Sequence, residues 1–119
     1  MNERMIVLTL AAGETGTTLS TLYQYITIPM SITIVAVAAS PNVDDAGLTI
    51  DINDDGAEAI AAVVCDTKAT PGTWLSTHLG GANAPVRVAA DSVLSLDANS
   101  AAANTMVTVH IWALVGEAN

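Results

Sequence analysis

The chain has 119 residues, one cysteine and a net charge of −9, with 12 acidic residues against three basic ones, Arg4, Lys68 and Arg87. Three scattered cations cannot line a surface that neutralises phosphates, which excludes nucleic acid as a partner and an anionic membrane with it. The length suits a single domain with its own core, and no apolar run approaches the roughly 20 residues of a membrane span.

The single Cys65 cannot form an internal disulfide, so stability does not depend on an oxidising compartment, and the thiol reads as a small buried hydrophobe. Phenylalanine is absent, aromatic residues make up 3%, and the apolar content of 51% leans on alanine. Alanine and valine bury less area than Phe or Leu and contribute less hydrophobic free energy each. Two thin, closely packed sheets would suit such side chains, and so would an oligomer that buries further surface.

Met1 to Ala12 has the outline of a secretory leader, but Glu3 and Arg4 balance the charge of its start and its apolar stretch is short, which argues against one. Arg4 to Leu10 reads as a first strand with Ile6, Leu8 and Leu10 on one face and Met5, Val7 and Thr9 on the other. A strand apolar on both faces is either central or covered by another molecule. Ala11 to Thr18 reads as a loop from its Gly and Thr content. Residues 1–18 are therefore set apart as an N-terminal strand or arm with its loop, and 19–119 as the sandwich domain proper.

Leu22 to Ile28 is β-rich and is stopped by Pro29. Tyr23 and Tyr25 share a face of it, suited to cross-strand packing or to stacking on a sugar. Ser31 to Ala39 is the most hydrophobic strand, with Ile32, Ile34, Ala36 and Ala38 on one side and Val35, Val37 and Ala39 on the other.

Leu48 to Ile52 alternates apolar with polar, and Asp55-Gly56 then supplies a two-residue turn whose residues both tolerate positive φ. That turn would place Asn53 opposite Glu58, Ile52 opposite Ala59, Ile50 opposite Ala61 and Leu48 opposite Val63. The second arm, Ala57 to Asp66, has helical propensity in its alanines, and its partner strand with Val63-Val64 draws it to sheet.

The same stretch contains Asp51-x-Asn53-x-Asp55-Gly56, the opening of an EF-hand calcium loop. Such a loop needs a bidentate carboxylate at its twelfth position, which here is Ala62, and helices on its flanks. The reading is a hairpin turn with no resident metal; a weak cation at Asp51, Asp54 and Asp55 is the alternative.

Pro71-Gly72 marks a turn, Thr73 to Thr77 a short strand or irregular piece containing Trp74, and His78 to Pro85 a loop in which His78 is a surface residue. Val86 to Ala90 and Ser92 to Asp97 read as short strands about Asp91, with Val86, Val88, Leu94 and Leu96 inward. Thr105 to Val115 is the longest regular strand: Val107, Val109, Ile111, Ala113 and Val115 form one face, and Thr108, His110, Trp112 and Leu114 the other. His110 and Trp112 are either at an interface, where Trp is favoured, or on the second side of a central strand.

About eight strands with no long helix indicate an all-β antiparallel two-sheet sandwich, jelly-roll or Greek-key in type. Two histidines and loop carboxylates do not make an acid–base or nucleophilic set, so neither an enzyme nor a cofactor is expected.

The run Ile-Thr-Ile-Pro and its following apolar strand, then Leu-Thr-Ile-Asp-Ile-Asn-Asp-Asp-Gly, Pro-Gly-Thr-Trp and Asn-Ala-Pro-Val-Arg-Val-Ala-Ala-Asp-Ser, spans Ile26 to Val115. In that texture the chain resembles the small acidic β-sandwich decoration (cement) proteins of tailed-bacteriophage capsids. The resemblance implies a structural protein made in the host cytoplasm and carried on the outer capsid surface of the virion. It implies a homotrimer that bridges capsomers by binding the major capsid protein, with Met5, Val7, His110 and Trp112 as interface residues. The competing reading is a receptor- or glycan-binding head of a tail fibre, or a carbohydrate-binding module, stacking on Tyr23 and Tyr25 or on Trp74.

Overall fold

The computed structural model describes residues 4–15, 18–22, 25–99 and 105–115. Among them are ten strands and one short 3-10 helix: β1 (Arg4–Thr15), β2 (Thr18–Leu22), β3 (Tyr25–Ile28), β4 (Ile32–Pro41), β5 (Thr49–Asp54), β6 (Ala57–Val64), β7 (Gly72–Leu75), η1 (Thr77–Leu79), β8 (Val86–Val88), β9 (Ser92–Asn99) and β10 (Met106–Val115). They form two antiparallel sheets, which establishes the sandwich. The larger runs β2-β1-β10-β4, and β7 and β8 share the remaining side of β4 end to end. The smaller runs β3-β9-β5-β6.

Alternation decides which face of each strand is buried. In β10 the inward row Val107, Val109, Ile111 and Ala113 is fully buried, and it faces Ile50, Ile52, Leu94 and Leu96 of the smaller sheet across one apolar core. Cys65 and Val88 lie in the same core, as side chains without charge should.

The N-terminal segment differs from its expected form. Ala11 to Thr15 is not loop: β1 continues to Thr15 and pairs with β2 in the register Thr15↔Thr18. Nor does Arg4 to Thr15 stand outside the sandwich as an arm. It pairs with β10 from Arg4↔Val115 to Gly13↔Met106, and its Ala11–Thr15 end pairs also with β2, so the segment is built into the larger sheet, with Arg4 to Leu10 paired to β10 on one side. The single strand expected from Leu22 to Ile28 is two: β2 ends at Leu22 in the larger sheet, and β3 starts at Tyr25 in the smaller.

Two strands carry bulges that alternation does not show. In β4 the register steps between Trp112 and Ala113 of the partner β10, leaving Val35 as the extra residue. Ile32 and Ile34 face the core before the step, and Val37 and Ala39 after it, so the expected common face of Ile32, Ile34, Ala36 and Ala38 is split. A bulge inserts one unpaired residue and re-aims those that follow.

In β6 the expected pair Asn53↔Glu58 forms, next to Asp54↔Ala57, about the turn, where Asp55 and Gly56 have φ of 51° and 86°. Beyond them two steps replace the expected partners: Ile52 pairs with Ile60 instead of Ala59, and Ile50 with Val63 instead of Ala61. Leu48 accepts from the Cys65 N–H, at 3.0 Å, in place of pairing with Val63. The gain is core volume, because Ile60 and Val63 are buried where alanines would otherwise stand.

Gly72 is required by close approach. A Cβ there would fall on the Val64 carbonyl, so β7 passes β6 at a distance that only glycine permits.

Candidate interaction face on the larger sheet

Cross-strand register brings the four expected interface residues onto one surface, the outer face of the larger sheet. Val7 lies opposite Trp112, Thr9 opposite His110 and Met5 opposite Leu114. The rows continue across β4 to its far neighbours: Val7, Trp112, Ala36 and Leu75 form one, and Met5, Leu114, Thr33 and Arg87 the next. His110 and Trp112 are one strand pleat apart with ring centroids at 6.0 Å, tilted by 44°, within the range of favourable aromatic contact.

The face sets exposed apolar side chains among polar ones, Thr9, Thr33, Thr73, Thr108 and His110, while Leu114 and Ala36 on it are buried. Met5 is 48% exposed, Val7 49% and Leu75 40%. Beside Trp112 the small side chains of Ala36 and Ala38 leave a recess of about 290 Å³, closed on its far side by Thr73, Leu75 and Leu79. The Val35 bulge makes this recess: it turns Ala36 and Ala38 outward and sends the larger Val37 into the core.

Charge divides the molecule. Among the described residues of this outer face there is no carboxylate, and the formally charged residue on it is Arg87. The outer face of the smaller sheet carries Asp51 opposite Asp97, and Glu58 opposite Asn53. Three carboxylates of this sheet and its β5–β6 turn tie strands together: Asp51 Oδ2 accepts from Asn99 Nδ2 at 2.8 Å, Asp97 Oδ2 from Asn53 Nδ2 at 2.7 Å, and Asp55 Oδ1 from the Val93 N–H at 2.8 Å. Among the described residues no group of three His, Cys, Asp or Glu side chains is placed to hold a metal ion.

The other sequence candidates lie apart. His78 is in η1, exposed, at the far end of β7. Its turn is closed by Ser76 Oγ, which accepts from the His78 N–H at 3.2 Å, and by Gly80 at φ 83°. Trp74 is partly buried against the core, so its ring is a packing element. Tyr25 is 65% exposed on β3, and the shared face with Tyr23 lies outside the described residues. Cys65 is 1% exposed, and burial, followed by the negative charges of Asp66 and Asp45, pushes its thiol up to about 11. Such a thiol stays protonated and unreactive at neutral pH.

What sequence reading missed is the recess. Ala36 and Ala38 look like a continuation of the Ile32–Ile34 core row, and only the bulge reverses them. Comparison with protein-family models, with curated proteins and with solved structures finds no match to this chain.

Proposed function

We propose that this chain is a non-enzymatic structural protein of a tailed-phage virion that decorates the outside of the capsid as a homotrimer. There it binds the major capsid protein and bridges neighbouring capsomers. The observation that carries the reading is the division of the surface: among the described residues the outer face of the larger sheet exposes Met5, Val7 and Leu75 and carries no carboxylate, while the outer face of the smaller sheet carries Asp51, Asp97 and Glu58. Contiguous exposed apolar patches mark protein contacts, and a negative remainder suits a surface facing away from packaged DNA. The resemblance in the stretch Ile26 to Val115 supplies the virion context.

A cement protein performs no chemistry; it needs stiff sheets and an adhesive face. The hydrogen-bonded hairpin and the continuous core meet the first need, and Met5, Val7, His110 and Trp112 lie on the surface that would meet the second. The glycan-binding reading loses one of its stacking groups, because Trp74 packs against the core.

Electron microscopy of virions encoded by the source genome tests the proposal. Density for this sandwich on the outer surface of the head is the expected result. Density on the tail, or absence of the chain from purified virions, would overturn it.

A further inference from the structure

We propose that the outer face of the larger sheet is self-complementary, the apolar projection of its β1 half on one copy of the chain filling the apolar recess of the β4–β7 half on the next. Met5 and Val7 are the projecting side chains, and the recess beside Ala36, Ala38 and Leu75 receives them. This rests on the assembly part of the preceding reading and is independent of its capsid part.

Charge selects the occupant. Two copies each carrying −9 repel wherever carboxylates meet, and the outer face of the larger sheet is where the described residues present none. The recess, at about 290 Å³ and lined by alanine, leucine and tryptophan, lies at the lower limit of small-ligand pockets and lacks the convergent polar groups such pockets use. It matches a few aliphatic side chains.

Geometry selects the contact. β10 runs through the middle of the sheet, with β1 on one side and β4 and β7 on the other. Val7, Trp112, Ala36 and Leu75 lie in one register row. Rotation about an axis parallel to β10 and standing off this face keeps the row at one height and carries β1 of the neighbour over β4 and β7. The projecting Val7, 49% exposed, then meets the hollow in its own row. Trp112 lies on the dividing line and contacts both neighbours. Each copy thus presents a projection to one neighbour and a recess to the other, which is the head-to-tail contact that closes a ring.

The test joins the two halves covalently. In the double variant Val7→Cys/Leu75→Cys, which joins two positions of the same register row, mild oxidation by copper phenanthroline should give covalent dimers and trimers on a non-reducing gel. Either single variant should remain monomeric on that gel, because the contact is unlike-to-unlike. Cys65 is too buried to take part. Light scattering at micromolar concentration should give an oligomer for the parent chain and a monomer for Val7→Glu, with circular dichroism of both showing the same strand content.

A monomeric parent overturns the inference. So does an oligomer whose double variant cross-links no better than the single variants, or a Val7→Glu chain that stays assembled. A cross-linked oligomer that fails to bind capsids would uphold this contact and overturn the virion reading. A cross-linked dimer would uphold the contact and overturn the number three.

Discussion

The Ala62 backbone N–H donates to Asp51 Oδ1 at 2.7 Å, joining the first and twelfth residues of the stretch that begins like a calcium loop. The acceptor that a calcium loop would point at a cation is turned across the sheet instead. Ala62 lies at the second step of β6, opposite Asp51, with φ of 53°. A backbone N–H displaced from its ladder by a bulge must find another acceptor, and the carboxylate supplies it.

Asp51→Ala should therefore destabilise the chain by about 1–2 kcal/mol, the loss of hydrogen bonds to a charged acceptor at an exposed site. Thermal melts with and without EDTA should coincide. A rise of many degrees on adding millimolar calcium, abolished in Asp51→Ala, would refute the structural role of this carboxylate.

Gly56 has φ of 86° and open space around its missing Cβ. The cost of a side chain there is thus one of backbone conformation alone. Gly56→Val should lower stability by about 2 kcal/mol, more than Gly56→Asn, since Asn tolerates the left-handed region and a β-branched residue does not. Urea melts of the two variants measure the difference; equal midpoints would show that the turn conformation is misassigned.

Gly72→Ala tests a different cost. Here φ is ordinary for any residue, and the obstacle is the Val64 carbonyl on the neighbouring strand. One methyl group must push β7 from β6, and overpacking of this kind costs about 1–3 kcal/mol. A variant that melts with the parent would show that the two strands are further apart than described.

Cys65 predicts a pH dependence with a definite sign. Its thiol is raised from 9.0 to about 11 by burial and by Asp66 and Asp45. Between those values the unfolded chain has lost the proton and the folded chain has kept it, so stability falls as pH rises. The contribution is whole below pH 9 and is lost as pH passes through about 11. Cys65→Ala should melt less stably at pH 7 yet show a shallower decline from pH 9 to 11, as followed by urea titration at each pH.

Alternation was enough to determine the faces of the regular strands. Ile6, Leu8 and Leu10 face inward and Met5 and Val7 outward, as do Ile111 and Trp112 respectively, because a strand has a period of two and the core takes one side. The Asp55-Gly56 turn was legible for a similarly local reason, since positive φ is a property of single residues. What only tertiary structure decided depends on the partner strand. The Val35 bulge, the steps at Ala59 and Ala61–Ala62, and the split of Leu22–Ile28 between two sheets each bring larger side chains into the core or satisfy backbone groups across strands. Whether an extra residue is worth its unpaired N–H is set by the volume facing it, which no stretch of chain carries within itself. The recess beside Trp112 is a product of one such step, and so the candidate site was legible in Met5, Val7, His110 and Trp112 but not in Ala36 and Ala38.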